Sequence, residues 1–97
     1  MIERFVGFVW DPRKELMNIE KHGVDFMTAA KVFEDPNRKI FKDEKHSKKE
    51  SRLFCIGKVD HRILTVRFVY QEGKIRIFGA GCWRKGVRYY EEEKRYQ

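Results

Sequence analysis

Three consecutive alternating runs dominate the hydrophobic pattern of the chain. Arg52–Val59, Arg62–Tyr70 and Lys74–Ala80 are each rich in Val, Ile, Leu and Phe with the two-residue period of a half-buried strand. Two residues separate each pair of runs. Glu72-Gly73 suits a two-residue hairpin, because Gly tolerates a positive φ at the second central position. Asp60-His61 is a weaker turn of the same length, built from residue types enriched among left-handed conformers.

Turns of this length fix the register by counting. Val59 falls opposite Arg62, Gly57 opposite Leu64, Cys55 opposite Val66 and Leu53 opposite Phe68. In the second hairpin Tyr70 faces Ile75, Phe68 faces Ile77 and Val66 faces Gly79. One sheet face then carries Leu53, Cys55, Leu64, Val66, Phe68, Tyr70, Ile75 and Ile77. The other carries Arg52, Phe54, Lys58, Thr65, Arg67, Val69, Arg76 and Phe78, with Arg52 and Arg76 beside Val69 and the two Phe beside Arg67.

The flanks supply the remaining elements. Phe5–Trp10 reads as a short aromatic strand. Asp11-Pro12 then opens a helix: the Asp side chain accepts from first-turn amides, and Pro at the first helical position sacrifices no bond. Leu16 and Ile19 predict its apolar stripe, and His22-Gly23 closes it. Asp25 caps a second helix with Phe26, Ala29, Ala30 and Phe33 at helical spacing, ended by Asp35-Pro36. These two helices are expected to bury Leu16, Ile19, Ala29 and Phe33 against Phe68 and Ile77. Lys39–Asp43 reads as an edge strand blunted by lysines. Glu44–Ser51 is a polar loop, and Arg84–Tyr96 a charged helix with Tyr89, Tyr90 and the Glu91–Glu93 run. The expectation is one α+β domain spanning residues 1–97: an N-terminal strand, two short helices, a mostly antiparallel sheet of about four strands, and a C-terminal helix.

Charge sharpens this picture. The chain of 97 residues has a formal net charge of +7. Residues 1–37 hold five Lys/Arg against seven Asp/Glu, while the remainder holds 17 against eight. A basic balance gathered on the sheet and its loops points to an anionic partner, nucleic acid first, or else serves solubility alone. Cys55 and Cys82 lack ligand-pair spacing, and Cys55 falls on the core face as an inert buried thiol. No apolar run is long enough to span a membrane and no signal-peptide pattern is present, so a reducing, cytoplasmic setting is expected.

The histidines, His22, His46 and His61, are scattered without metal-ligand spacing, and no phosphate-binding glycine loop occurs, so neither a metal nor another cofactor is expected. The arginine face carries the chemistry instead. Arg52, Arg67 and Arg76 can bind phosphates through forked, charge-assisted hydrogen bonds. Phe54 and Phe78 can stack on unpaired bases, or lie half-buried under another segment while the arginines pair with Glu91–Glu93. RNA cleavage through the ribose 2′-OH needs a base, an acid and cations around the crowded phosphate, and no metal. Arg67 and Arg76 fit the cation role, and His46 and Tyr89 are the proton-transfer candidates.

Taken together, Trp10-Asp11-Pro12-Arg13-Lys14, Lys21-His22-Gly23-Val24, the Ala29–Pro36 run, His46-Ser47, Glu50-x-Arg52, the Gly57 strand and Ile75-Arg76-Ile77 resemble the BrnT family, in order along nearly the whole chain. The resemblance implies a fold similar to the RelE-like ribonucleases and the role of toxin in a type II toxin–antitoxin module. It further implies metal-independent RNA cleavage that arrests translation, and a BrnA antitoxin whose ribbon-helix-helix portion binds operator DNA, so that this chain meets DNA only through its partner. The antitoxin is expected on the basic surface, with binding that weakens as salt rises. The commonest family pattern after the last strand, Ile-Ser-Ala-Arg, is replaced by Phe78-Gly79-Ala80-Gly81 followed by Cys82-Trp83-Arg84. Either Arg84 reaches the space of the missing arginine from one turn later, or this branch is a weak or inactive toxin that binds RNA or only a protein. Trp83 either caps the core or serves as a stacking platform. Lys48 and Lys49 complete the expected RNA-binding set with Arg52, Phe54, Phe78 and Arg84.

Overall fold

A computed structural model describes the backbone of residues 3–5 and 7–95 and the side chains of residues 7–92. Strands β1 (Glu3–Phe5), β2 (Phe8–Trp10), β3 (Lys39–Lys42), β4 (Leu53–Val59), β5 (Arg62–Gln71) and β6 (Lys74–Gly81) form one sheet in the order β1-β2-β6-β5-β4-β3. Helix α1 (Pro12–His22), helix α2 (Phe26–Ala30) with a 3-10 turn at Lys31–Glu34, a second short 3-10 turn at Glu44–His46 within the expected polar loop, and helix α3 (Arg84–Arg95) complete the fold. The class is α+β as expected, but the sheet has six strands rather than about four. It is mixed, because β2 runs parallel to β6.

The extra strands come from the N-terminal segment. The single strand expected at Phe5–Trp10 is two, paired antiparallel as a hairpin with Gly7 at φ +81°. Val6 lies outside the described residues. The Gly7 carbonyl accepts from the Ile75 N–H at 2.9 Å, docking the hairpin on β6.

The two hairpins of the organising stretch form with their predicted turns. Asp60 has φ +56°, and Glu72 and Gly73 have φ +51° and +76°. The β4–β5 register matches at every pair from Leu53↔Phe68 to Val59↔Arg62. Tyr70↔Ile75 and Phe68↔Ile77 also match. Beyond them a β-bulge intervenes: Val66 pairs with Ala80 rather than Gly79, and Arg67 with Gly79. Phe78 is the extra residue, and an inserted residue inverts the alternation that follows it. Ala80 therefore joins the core, while Gly79 and Gly81 turn to the arginine face.

The core lies between the apolar sheet face and α2 with the 3-10 turn at Lys31–Glu34. Phe26, Ala29, Val32, Leu64, Val66, Phe68 and Ile77 are buried there, and the Phe33 ring meets Phe68 edge-on at 5.0 Å. The 3-10 turn lies so close to β4 that a Cβ on Gly57 would sit 2.7 Å from the Val32 carbonyl oxygen. Burial pushes the Cys55 thiol up to about 12, so it remains protonated and unreactive. Tyr70, although on the core side, is exposed near the end of β5.

The caps are as expected. Asp11 accepts from the Arg13 N–H at 2.9 Å, Gly23 closes α1 in the left-handed region at φ +68°, and Asp25 accepts from the Thr28 N–H at 3.1 Å. The packing of α1 is not. Leu16 and Ile19 are 66% and 41% exposed, and the buried residue of α1 is Asn18, at 7%. The reason is topological. Strand β2 stops at Trp10, opposite Ile77, so the outer edge of β6 at Ala80 has no strand beside it. Asn18 takes that place: its Nδ2 donates to the Ala80 carbonyl at 2.8 Å and its Oδ1 accepts from the Ala80 N–H at 3.1 Å. Helix α1 is thus held to the sheet edge by a side-chain amide that pairs with the Ala80 main chain, and its apolar pair is left facing outward.

The opposite sheet face is divided. Helix α3 crosses β4 and β5, where Gly86 rests on Thr65. Tyr90 anchors the helix by donating to an Asp35 carboxylate oxygen at 2.7 Å. Tyr96 lies outside the described residues.

Candidate functional site

The uncovered part of that face holds the arginines. Arg76 and Val69 are a cross-strand pair, as are Phe54 and Arg67, because the strands alternate as counted. Val69 is buried although it lies on this face, since the aliphatic stems around it exclude water. Arg52 and Arg67 converge on one ring, with their guanidinium carbons 4.7 and 5.4 Å from the centroid of Phe78. The bulge allows this. It inserts Phe78 without returning it to the core and places Gly79 beneath the Arg67 stem, 3.5 Å from where a Cβ would stand.

Glu50 binds two of the three arginines. Arg76 Nη2 donates to both its carboxylate oxygens, at 2.9 and 3.0 Å, and Arg52 Nε lies 3.6 Å away. The expected alternative of pairing with the Glu91–Glu93 run does not occur at Glu91 or Glu92, whose side chains are exposed; that of Glu93 lies outside the described residues. Arg67 has no carboxylate partner among the described residues, and its Nε is buried without a hydrogen bond. It is the least neutralised cation of the cluster.

The loop before β4 brings in the imidazole. His46 Nδ1 lies 2.9 Å from Oδ2 of Asp43, which is buried at the end of β3. An ionised Asp43 can only accept, so Nδ1 carries the proton and Nε2 is free for proton transfer. Ser47 braces this loop: its hydroxyl donates to the Asp43 carbonyl at 2.6 Å and accepts from the Arg52 N–H at 3.0 Å. His46, Lys48, Lys49, Glu50 and Arg52 line one open hollow of about 360 Å³.

Of the expected site residues, Arg52, Arg67, Arg76 and Phe78 form one cluster, and His46, Lys48 and Lys49 border it through Glu50 and Arg52. Phe54 adjoins the cluster as the cross-strand neighbour of Arg67, and Tyr89 stands apart from it. The Tyr89 ring lies 5.4 Å from Phe41, and Phe41 lies 5.3 Å from Phe54, so two rings separate Tyr89 from Arg67. Arg84 is exposed at the start of α3. Sequence reasoning missed Glu50 as the bridge and Asp43 as the orienting group of His46. The three-residue spacing of Asp43 and His46 was a visible signal, whereas the Glu50–Arg76 contact spans 26 residues and had none.

Among the described residues no group of three or more His, Cys, Asp or Glu side chains is placed to hold a metal ion, and no helix is long and apolar enough to cross a membrane. The fold and this face define a small α+β protein with an open cationic, aromatic surface and one oriented histidine, a class suited to binding phosphodiesters. Comparison with protein families identifies it further. Residues 10–86 match the family described as "Ribonuclease toxin, BrnT, of type II toxin-antitoxin system", and the chain belongs to that family. It is accordingly a toxin of a type II module, a family with ribonuclease activity, and its partner is an antitoxin protein. Comparison with curated proteins finds no match.

Proposed function

We propose that the protein is a metal-independent endoribonuclease of the cytoplasm that arrests translation by cutting RNA through the ribose 2′-OH, and that a BrnA-like ribbon-helix-helix antitoxin silences it. The observation that carries this reading is the convergence of Arg52 and Arg67 on Phe78, with Arg76 joined to Arg52 through Glu50, beside a histidine oriented by a buried carboxylate. Arg67 and Arg76 neutralise the phosphorane-like transition state, whose charge exceeds that of the bound diester. His46 and Glu50 border the same hollow, and between them can take the proton from the 2′-OH and supply one to the leaving 5′-oxygen. The 2′-oxygen bonds to phosphorus as the bond to the 5′-oxygen breaks, leaving a cyclic phosphate and a 5′-hydroxyl. Lys48, Lys49, Arg84 and Phe54 flank the RNA, and Tyr89, two rings away from Arg67, serves its approach rather than the reacting phosphate. An antitoxin segment that covers this surface is acidic or amphipathic, and its binding is salt-sensitive.

The test is cleavage of single-stranded RNA in the presence of a chelator, with melting curves on the same samples. Arg67→Ala and Arg76→Ala are expected to lower the rate by roughly two to three orders of magnitude, the loss typical of one removed electrostatic donor. Both should melt near the parent temperature, because both side chains point away from the core. Arginine variants that melt early yet cleave normally would sink the clamp. The second reading, an inactive toxin that only binds, draws on the Arg76–Glu50 pair, which already occupies one cation; RNA binding without cleavage would favour it.

A further inference from the structure

Trp83 lies at the junction of two hollows distinct from the one that His46 and Glu50 border. One, of about 280 Å³, runs between α1 and the arginine face, past Lys14, Lys21, His22, Arg67 and Phe78. The other, also about 280 Å³, is an apolar slot beneath α3 that reaches Phe41, Phe54 and Tyr89. The benzo ring of Trp83 is seated on Gly81, where an added Cβ would come within 2.8–3.0 Å of three ring carbons. Its edge meets the His22 ring at 5.0 Å. So supported, the indole remains 37% exposed. The seat exists because the bulge at Phe78 turned Gly81 onto this face.

We propose that Trp83 is a base-stacking platform for single-stranded RNA, with the adjoining phosphates held in the α1 groove by Arg67, Lys14 and Lys21. The inference rests on the ribonuclease reading above and adds a subsite to it. Three features favour this occupant. The groove is lined by three cations and no carboxylate, whereas the neighbouring Arg52 and Arg76 are already answered by Glu50. Its one large exposed ring is held rigid between a glycine and a histidine, so stacking a base costs little side-chain ordering. Arg67 belongs both to this groove and to the reactive cluster, so a nucleotide seated here continues directly toward the reacting phosphate.

The second tryptophan makes the test selective. Trp10 is 4% exposed in the core, so quenching of tryptophan emission by an added ligand reports on Trp83. The probe is a short single-stranded RNA carrying 2′-O-methyl groups, which cannot be cleaved by attack of the 2′-oxygen. Its binding to the full chain is also followed by anisotropy of a terminal dye. The expected result is saturable quenching that tracks anisotropy, with Trp83→Ala weakening affinity about 5- to 100-fold, as loss of one stacked base does. Lys21→Ala should weaken it less and flatten the salt dependence. Quenching of the parent protein needs no variant, so an unstable Trp83→Ala does not stall the test. Anisotropy binding with unchanged emission overturns the platform while leaving RNA binding intact. No binding and no cleavage of any RNA removes the ribonuclease reading and the platform with it. Quenching by poly-glutamate but not by the oligonucleotide overturns the proposal in favour of an acidic protein segment.

Discussion

Replacing Asn18 with leucine should destabilise the protein, although it adds an apolar residue to a helix. Asn18 Nδ2 donates to the carbonyls of Val24 at 2.9 Å and Ala80 at 2.8 Å, while Oδ1 accepts from the Ala80 N–H at 3.1 Å. Leucine removes all three bonds and strands main-chain groups of Ala80 at a buried edge. Three bonds at about 1 kcal/mol each, with stranded groups adding about 1–2 kcal/mol, outweigh the roughly 2 kcal/mol that a buried leucine contributes. The net loss is about 2–3 kcal/mol, which for a domain of this size lowers Tm by roughly 10–20 °C. Leu16→Ala, by contrast, changes an exposed side chain and should stay within about 0.5 kcal/mol. Urea denaturation of both variants, with hydrogen exchange at the Ala80 amide, decides the matter. A leucine variant as stable as the parent, beside a Leu16→Ala that loses more than about 2 kcal/mol, would show that α1 packs through its apolar pair and not through Asn18.

Gly57→Ala is expected to cost about 1–3 kcal/mol, because the new Cβ would stand 2.7 Å from the Val32 carbonyl oxygen and 2.9 Å from its Cβ, both fixed by packing; chemical denaturation would read it, and a neutral result would mean that the 3-10 turn shifts freely. Tyr90→Phe should cost about 1.5 kcal/mol at neutral pH, since the phenol donates to a carboxylate at 2.7 Å. Burial, and then the Asp35 carboxylate, push the Tyr90 phenol up to about 12 from its ordinary 10. The folded chain holds this proton more tightly than the unfolded one, so the contribution is complete below pH 10 and fades as pH climbs to about 12. The stability gap between parent and Tyr90→Phe should close over that interval; a gap that stays constant would refute the linkage.

The sequence by itself determined the elements whose information is local. Alternation and two short turns placed β4, β5 and β6 and most of their register, because a one-residue slip would expose every core side chain. Asp11, Gly23 and Asp25 announced the helix ends, since a cap satisfies amides only a few residues away. Alternation also put Arg52, Arg67 and Arg76 on one face, which is why the cationic cluster is legible in the sequence. Tertiary structure decided what depends on distant partners. The parallel pairing of β2 with β6 joins segments more than 60 residues apart, and it is the stop of β2 that calls Asn18 inward and leaves Leu16 outside. Gly79 and Gly81 hint at an irregular strand, but the place of the bulge at Phe78 is set by pairing with β5, and it moves Ala80 into the core and Gly81 beneath Trp83. Glu50 likewise reads as one more charge in a polar loop; only the folding of that loop back over β6, where water is partly excluded, makes it the counter-ion that holds Arg76 in place.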